Sequence, residues 1–498
     1  MASVLGIDLG TQHIKVLVYD LDSKQIMALT SSPLDLHQSD DGTAEQQAQW
    51  WINGLSDALS KIDTKLLSSV SALGVSGQQH GFVPVNDAGK VLAPVKLWCD
   101  TSTEEECAAI MDRLGGQQKC IELAGNPILP GYTASKLLWF KNKHSALYGD
   151  LDTVLLPHDY LNYYLTGEKC MEAGDASGTG FFDVRNRIWS KQVLAAIDGN
   201  RDLTECLPDV RAGNTEIGRV LPDIASLFGM PEGIPVSIGG GDNMMGAIGT
   251  GNVRSGRLTI SLGTSGTVYA YSDSPVIDGD GEIAAFCSST GGWLPLLCTM
   301  NCTVSTELTR KMLDSDLTEF EASISLASRG SEGILTLPFF NGERTPNLPQ
   351  AKGCFVGIDS QNATPENLLR SSVEGATYAL RYGVDKLAGL NHSADEIVLT
   401  GGGANSETWR QIVADIFGMP VKVLEQEEGP AFGAALQAAE LLCDTPITSL
   451  VDEHLAENHE LGTLPDSDAV SSYSDAYQRY LAAVDAVTPL YDSSGGSV

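Results

Sequence analysis

Val4-Leu5-Gly6-Ile7-Asp8-Leu9-Gly10-Thr11 is an apolar strand that ends in an acid, a glycine and a hydroxyl. The polar pair Gln12-His13 comes next, then a second apolar stretch, Ile14 to Tyr19, which carries Lys15. Two such runs joined by a short turn predict a β-hairpin. Its turn offers amide donors, a Thr hydroxyl and a nearby ammonium group to a phosphate. The pattern returns at Leu258-Thr-Ile-Ser-Leu-Gly263-Thr264-Ser265-Gly266-Thr267 as strand, Gly-Thr turn and strand. Hairpins with crossover helices, given twice, predict a duplicated α/β architecture rather than a Rossmann fold.

Between the hairpins, Pro235-Val-Ser-Ile238 reads as a buried strand broken by Gly239-Gly240-Gly241. Asp242 follows, at the head of a small-residue run from Met244 to Ile248 that suits a helix start. Glycines there let a ligand approach the backbone, and a helix start supplies donors and partial positive charge. Asp242 in that position is either a proton acceptor or a helix cap. A third cluster, Val398-Leu-Thr-Gly401-Gly402-Gly403-Ala404-Asn405-Ser406, links a strand to a helix expected over Glu407–Phe417. Without side chains, such a turn leaves room for a base or a ribose.

Further strands are expected at Ala72–Val75, Val154–Leu156 and Glu396–Leu399, with hairpin strands at Arg257–Leu262 and Thr267–Tyr271. Helical periodicity marks Ala44–Leu59, Ser102–Arg113, Ala134–Lys141, Trp189–Ala196 and Pro365–Ala388, and a helix opens at Gly433. Residues 443–465 read as an acidic loop, and Tyr473–Val487 as a short helix. The 498 residues suit two domains of roughly 250. The boundary is expected near Gly249-Thr-Gly251, giving domains 1–250 and 251–492 with a disordered tail at 493–498.

Net charge is −33, from 31 basic and 64 acidic residues, which argues against nucleic acid or anionic membrane as partner. The start, Met1-Ala-Ser-Val, has no basic n-region or apolar h-region, and no apolar run approaches the roughly 20 residues of a membrane span. A cytoplasmic protein is expected. The ten cysteines form no CxxC pair and read as reduced thiols.

Several tempting patterns carry nothing. His454 and His459 lack the spacing of a zinc helix, and Asp278-Gly-Asp280-Gly has no closing Glu for a calcium loop. The glycine triplets do not follow GxGxxG, and no GxSxG elbow is present.

The glycine clusters and hairpins in this order resemble the FGGY carbohydrate kinases, from Gly6 to about Tyr491. The likeness also runs through Gly77-Gln78-Gln79-His80-Gly81, Leu97-Trp98-Cys99-Asp100, Leu156-Pro157-His158-Asp159-Tyr160-Leu161, Asp175-Ala-Ser-Gly-Thr179 and Leu337-Pro-Phe-Phe-Asn-Gly342-Glu343-Arg344-Thr345-Pro346. Within the family it is nearest the members that phosphorylate D-xylulose. The resemblance implies two actin-like (ribonuclease-H-like) ATPase domains with an inter-domain cleft. It also implies ATP and Mg²⁺ as cofactors, a small sugar as substrate, and a homodimer.

Carried onto this chain, the resemblance makes Asp242 the general base, accepting a proton from a ketopentose hydroxyl. Asp8 would organise the Mg²⁺ of MgATP through water, with Asp242 as a second metal-facing carboxylate; otherwise Asp8 satisfies turn amides. Gly10 and Thr11 would meet the phosphates, with Lys15 adding charge or remaining a solvated lysine. From the second domain Gly263 and Thr264 would hold phosphates, while Gly402, Gly403, Asn405 and Ser406 line the adenosine pocket. Gln79, His80 and Asn243 would bind sugar, although many members carry Met in place of Gln79. Trp98 and Asp100 are pocket wall and support, or core packing. Glu343 and Arg344 suit a structural pair, with cleft closure as the alternative. Other functions compatible with these residues are a sister kinase for ribulose, gluconate or a polyol, and a non-catalytic ATP-binding sugar sensor.

Overall fold

In the computed structural model, which describes residues 2–426 and 428–492, the opening residues form the hairpin their pattern predicts. β1 (Ser3–Leu9) pairs antiparallel with β2 (His13–Asp20), and β3 (Gln25–Pro33) adds an antiparallel edge. β4 (Val70–Gly77) lies parallel on the other side of β1. β5 (Glu216–Arg219), β6 (Pro235–Ser237) and β7 (Gly240–Gly241) complete a seven-stranded sheet, β6 and β7 both running parallel to β4. β1 is apolar almost throughout and buried on both faces, as a central strand requires. Helix Ala48–Ser60 buries Trp51, Ile52, Leu55, Ala58 and Leu59 in the core of this sheet.

Helix Gly429–Cys443 packs on β1 and β4, and glycines make its close approach possible. A Cβ at Gly6 would lie 1.9 Å from the Ala431 carbonyl oxygen, and one at Gly74 would lie 2.2 Å from that of Ala434. This contact gathers the chain up to Arg254, Tyr271–Pro295 and Glu428–Leu455 into one compact unit. The second unit takes Ser255–Ala270, Leu296 to Gln426, and residues 456–492. A single division at residue 250 therefore does not describe the packing, because two later segments return to the first unit.

The second unit has its own sheet. β8 (Gly256–Leu262), β9 (Gly266–Ala270) and β10 (Leu296–Thr299) form an antiparallel meander. β11 (Ala394–Thr400) runs parallel to β8, and β12 (Val421–Lys422) parallel to β11. Helix Pro365–Gly389 opens on Pro365, with Thr364 capping the amide of Asn367. It packs on the sheet where Gly266 meets Leu380 and Gly383 meets Leu297. Three antiparallel strands and then parallel ones beside the first is the order in both sheets, the first sheet adding β5 antiparallel to β6 at its far edge. This is the mixed α/β arrangement of an actin-like or ribonuclease-H-like ATPase domain.

Local expectations fail where a tertiary bond outweighs periodicity. Ala44–Gln46 is a strand, and the helix begins at Ala48. Asp100 accepts the Ala44 amide, and the Gln46 side chain bridges the Thr11 and Asp35 carbonyls. Trp189 is in a strand paired with Phe182, so its helix starts at Lys191. The helix expected from Gly433 begins at Gly429, with Pro430 in its first turn. The expected loop at 443–465 contains helix Ile447–His454, whose His454 bonds the Tyr19 hydroxyl. The last helix is longer than its core, Ser467–Asp492. The tail expected at 493–498 lies outside the described residues. Among the described residues, no helix is long and apolar enough to cross a membrane.

Candidate active site

Register brings the first unit's candidate residues to one end of its sheet. Asp8 stands opposite Lys15 on β2 and Ser76 on β4, while Gly240 and Gly241 of β7 face Ser76 and Gly77. Asp242 then opens helix Asp242–Gly249, with Gly241 as an extended N-cap. Ser76 Oγ donates to Asp8 Oδ1 at 2.9 Å. Asp242 Oδ1 accepts the Asn243 amide at 2.8 Å and Asn243 Nδ2 at 3.0 Å. Oδ2 of Asp242 has no hydrogen-bond partner among the described residues, so one oxygen is anchored and the other is available. Desolvation, then the charges of Asp8 and Asp175, push the Asp242 carboxyl up to about 7, against the Asn243 bonds. Desolvation likewise raises Asp8 to about 6, opposed by Ser76 and Lys15. Lys15 Nζ is paired with Glu428 Oε2 at 2.5 Å.

Gln79 is held by the protein at both ends of its amide. Its Oε1 accepts from Asn243 Nδ2 at 2.7 Å, and its Nε2 reaches Met244 Sδ at 3.2 Å. His80 follows at φ 62°, a left-handed conformation that costs a non-glycine residue about 1–2 kcal/mol. Trp98, 37 % exposed, donates its ring N–H to Thr11 Oγ1 at 2.9 Å, joining the two loops. Thr11 donates in turn to Gln78 Oε1 at 3.1 Å. Asp100 is buried and accepts from Ala44, Lys96 and Ser102, which makes it a support.

Behind this surface lies a buried charged layer to which the sequence reading assigned no role. Asp175 Oδ2 meets His158 Nδ1 at 2.9 Å, and His158 Nε2 lies 3.0 Å from Asp159 Oδ1. Burial pulls the His158 imidazole down, yet Asp159 and Asp175 outweigh it and hold it well above its ordinary value. Glu172 accepts the amides of Gly174 and Asp175, and burial raises its carboxyl to about 7. Lys136 is buried in helix Thr133–Lys143, and desolvation lowers its amine to about 7. Leu156–Leu161 and Asp175–Thr179 are segments of the family likeness, and a lysine inside an apolar helical stripe was the available signal for Lys136.

The second unit groups the other candidates. The Gly263 and Thr264 carbonyls accept the Thr303 and Cys302 amides at the start of helix Thr303–Met312. Gly401 has φ 84°, and a Cβ there would lie 2.8 Å from Leu262 backbone, so the turn after β11 crosses close to β8. Gly402 and Asn405 are exposed beside it, while Gly403 is buried against Leu262. Ser406 caps helix Glu407–Phe417 through Trp409 N at 3.0 Å and donates to Glu321 at 2.6 Å. Glu343 braces the chain after β10, accepting from Met300 N, Asn301 Nδ2 and Arg344 N.

Two carboxylates with raised pKa values, one coupled to the other's charge, suit a divalent cation that relieves the repulsion. Among the described residues, no set of three or more His, Cys, Asp or Glu side chains is arranged to hold a metal alone. Asp8 and Asp242 therefore fit a cation whose remaining ligands come from water and a phosphate, the habit of magnesium with nucleotides. A base poised near neutrality beside such a site can deprotonate a hydroxyl.

Residues 3–249 match the N-terminal domain, and residues 258–441 the C-terminal domain, of the FGGY family of carbohydrate kinases. The xylulose kinase of Haemophilus influenzae is 43 % identical over 492 residues, covering 96 % of this chain and 98 % of that protein. That of Escherichia coli is 34 % identical, covering 98 % and 99 %. Among solved structures, the xylulose kinase of Bifidobacterium adolescentis superposes with TM-score 0.83 at 30 % identity, covering 95 % of this chain and 99 % of that one.

Proposed function

The chain belongs to the FGGY family of carbohydrate kinases, and on that premise we propose that it transfers the γ-phosphoryl group of ATP to D-xylulose, giving D-xylulose 5-phosphate. The choice of sugar rests on one observation, the near full-length likeness to the Haemophilus influenzae xylulose kinase.

Phosphoryl transfer asks for positioning, charge compensation and a base at the acceptor hydroxyl. Asp242 Oδ2 is the base, its carboxylate favoured by the helix N-terminus and oriented by Asn243. Asn243, His80 and Trp98 hold the sugar, and Gln79 binds at the same place while fixing the Asn243 amide. Asp8, with Asp242, would hold Mg²⁺ through water, and the cation would offset charge on the phosphates. Gly10, Thr11 and Lys15 in the first unit serve the phosphates. Gly263 and Thr264 in the second do the same, with Gly402, Gly403, Asn405 and Ser406 around the adenosine. The raised pKa of Asp242 suits a group that must both accept a proton and lose it.

The test is ADP release, followed by a coupled assay, across D-xylulose, D-ribulose, L-ribulose, L-xylulose, gluconate, glycerol and xylitol. D-Xylulose should give the highest kcat/KM. Preference for another sugar would move the proposal to a sister kinase, and no sugar-dependent release would replace it with a nucleotide-binding sensor.

A further inference from the structure

Lys136 takes no part in the reaction as proposed, yet it occupies a buried position where an aliphatic residue would be less costly. Its Nζ donates to the His80 carbonyl at 2.9 Å and to the Gly131 carbonyl at 2.6 Å. Thr133, the first residue of the same helix, adds a second bond to the His80 carbonyl at 3.2 Å. On the opposite side, Asp175 Oδ1 lies 3.4 Å from the His80 amide nitrogen and 3.6 Å from its ring Nδ1. The second oxygen of Asp175 is fixed by His158 at 2.9 Å, and His158 is backed by Asp159, which caps helix Pro157–Thr166 through the Leu156 amide. The His80 ring meets Tyr132 edge-on at 5.1 Å and Phe286 at 5.4 Å. Gly178 lies so close that a Cβ there would fall 1.8 Å from His80 Cε1.

His80 is thus held at amide, carbonyl and ring while its backbone stands in a left-handed conformation at φ 62°. A non-glycine residue persists there only where surrounding bonds over-determine it. We propose that Lys136 and Asp175 are positioning residues that hold His80 in this conformation and thereby set the affinity for sugar. The inference rests on the reading of His80 as a sugar ligand. It deepens that reading by placing the control of sugar binding in two buried groups that need not touch the sugar. Lys136 serves as a hydrogen-bond donor whether or not it is charged, which agrees with its depressed pKa.

The experiment compares Lys136→Met, His80→Ala and the double variant for KM and kcat with D-xylulose and with ATP. Lys136→Met should raise the D-xylulose KM about tenfold or more, with kcat changed much less and the ATP KM unmoved. Because Lys136 acts through His80, the double variant should be no worse than His80→Ala alone. Additive effects, or a uniform loss of kcat without a KM change, would overturn the proposal. Histidine-selective ¹⁵N NMR gives a second readout that does not depend on sugar identity. The His80 signal, assigned by its loss in His80→Ala, should shift in Lys136→Met while the exposed His13 and His37 stay fixed. An unmoved His80 signal would overturn the positioning role even if D-xylulose proved to be the wrong substrate. If Lys136→Met fails to fold, Thr133→Val removes the second donor to the same carbonyl. It should then give a smaller shift in the same direction, and no shift would count against the proposal.

Discussion

The two sheets share an antiparallel meander with parallel strands beside its first member, and the side chains on that common frame differ. In the first unit Asp8 is flanked in register by Lys15 and Ser76; in the second, Ser261 is flanked by Thr267 and Thr400. Both strands then run Leu-Gly-Thr, through Leu9-Gly10-Thr11 and Leu262-Gly263-Thr264. The same frame therefore carries an acid, a base and a hydroxyl in one unit, and three hydroxyls in the other. Charge at the strand end attracts a cation and moves protons, whereas neutral hydroxyls and amides suit an anion that must be held but not changed. The duplicated frame is a scaffold, and the chemistry follows the side chains placed on it.

If that division is right, variants in the first unit should damage turnover and those in the second should damage nucleotide affinity. The largest effect is expected for Asp242→Ala, which should lower kcat by roughly 10²–10⁴-fold in the coupled ADP assay. Asp8→Ser, which makes the first strand end like the second, should cost roughly 10²-fold and raise the Mg²⁺ concentration needed for half-maximal rate.

A third expectation concerns the buried layer. The folded state raises the Glu172 carboxyl from its ordinary value to about 7, so it favours the protonated form. That contribution is fully present below the unfolded pKa and is lost as pH rises through about 7. Glu172→Gln should flatten the fall in stability between about pH 4.5 and 7, on the order of 3 kcal/mol, as read by denaturant melts at each pH. An unchanged pH slope would remove Glu172 from the buried layer's electrostatics.

Smaller effects should appear in the second unit. Thr264→Val should raise the ATP KM roughly 3–10-fold, the worth of one hydrogen bond, with the sugar KM unchanged. Ser261→Ala should change kcat by less than about threefold, and a loss as large as that of Asp8→Ser would erase the contrast between the strand ends.

Much of this was legible in the chain because it is local. A hairpin is written in two apolar runs and a turn, and Gly239-Gly240-Gly241-Asp242 announces a strand passing into a helix. The parts that escaped depend on partners far along the chain. Lys136 meets the His80 carbonyl and Asp175 meets His158, contacts that no periodicity encodes. The resemblance implies Gln79 as a sugar ligand, but its bonds to Asn243 and Met244 link residues remote in sequence and are not written locally. The pattern of Ala44–Gln46 predicts helix, but the Asp100 carboxylate and the Gln46 bridges draw it into a strand. The return of Glu428–Leu455 to the first unit is equally long-range, although Gly6 and Gly74 are the bare positions that admit it.

The decisive measurement is D-xylulose binding by calorimetry beside ADP release in Asp242→Asn, which keeps an oxygen for Asn243 and removes the proton acceptor. Binding within about tenfold of the parent, with turnover lowered at least about 100-fold, is the predicted result. Turnover within about threefold of the parent would show that Asp242 is not the base.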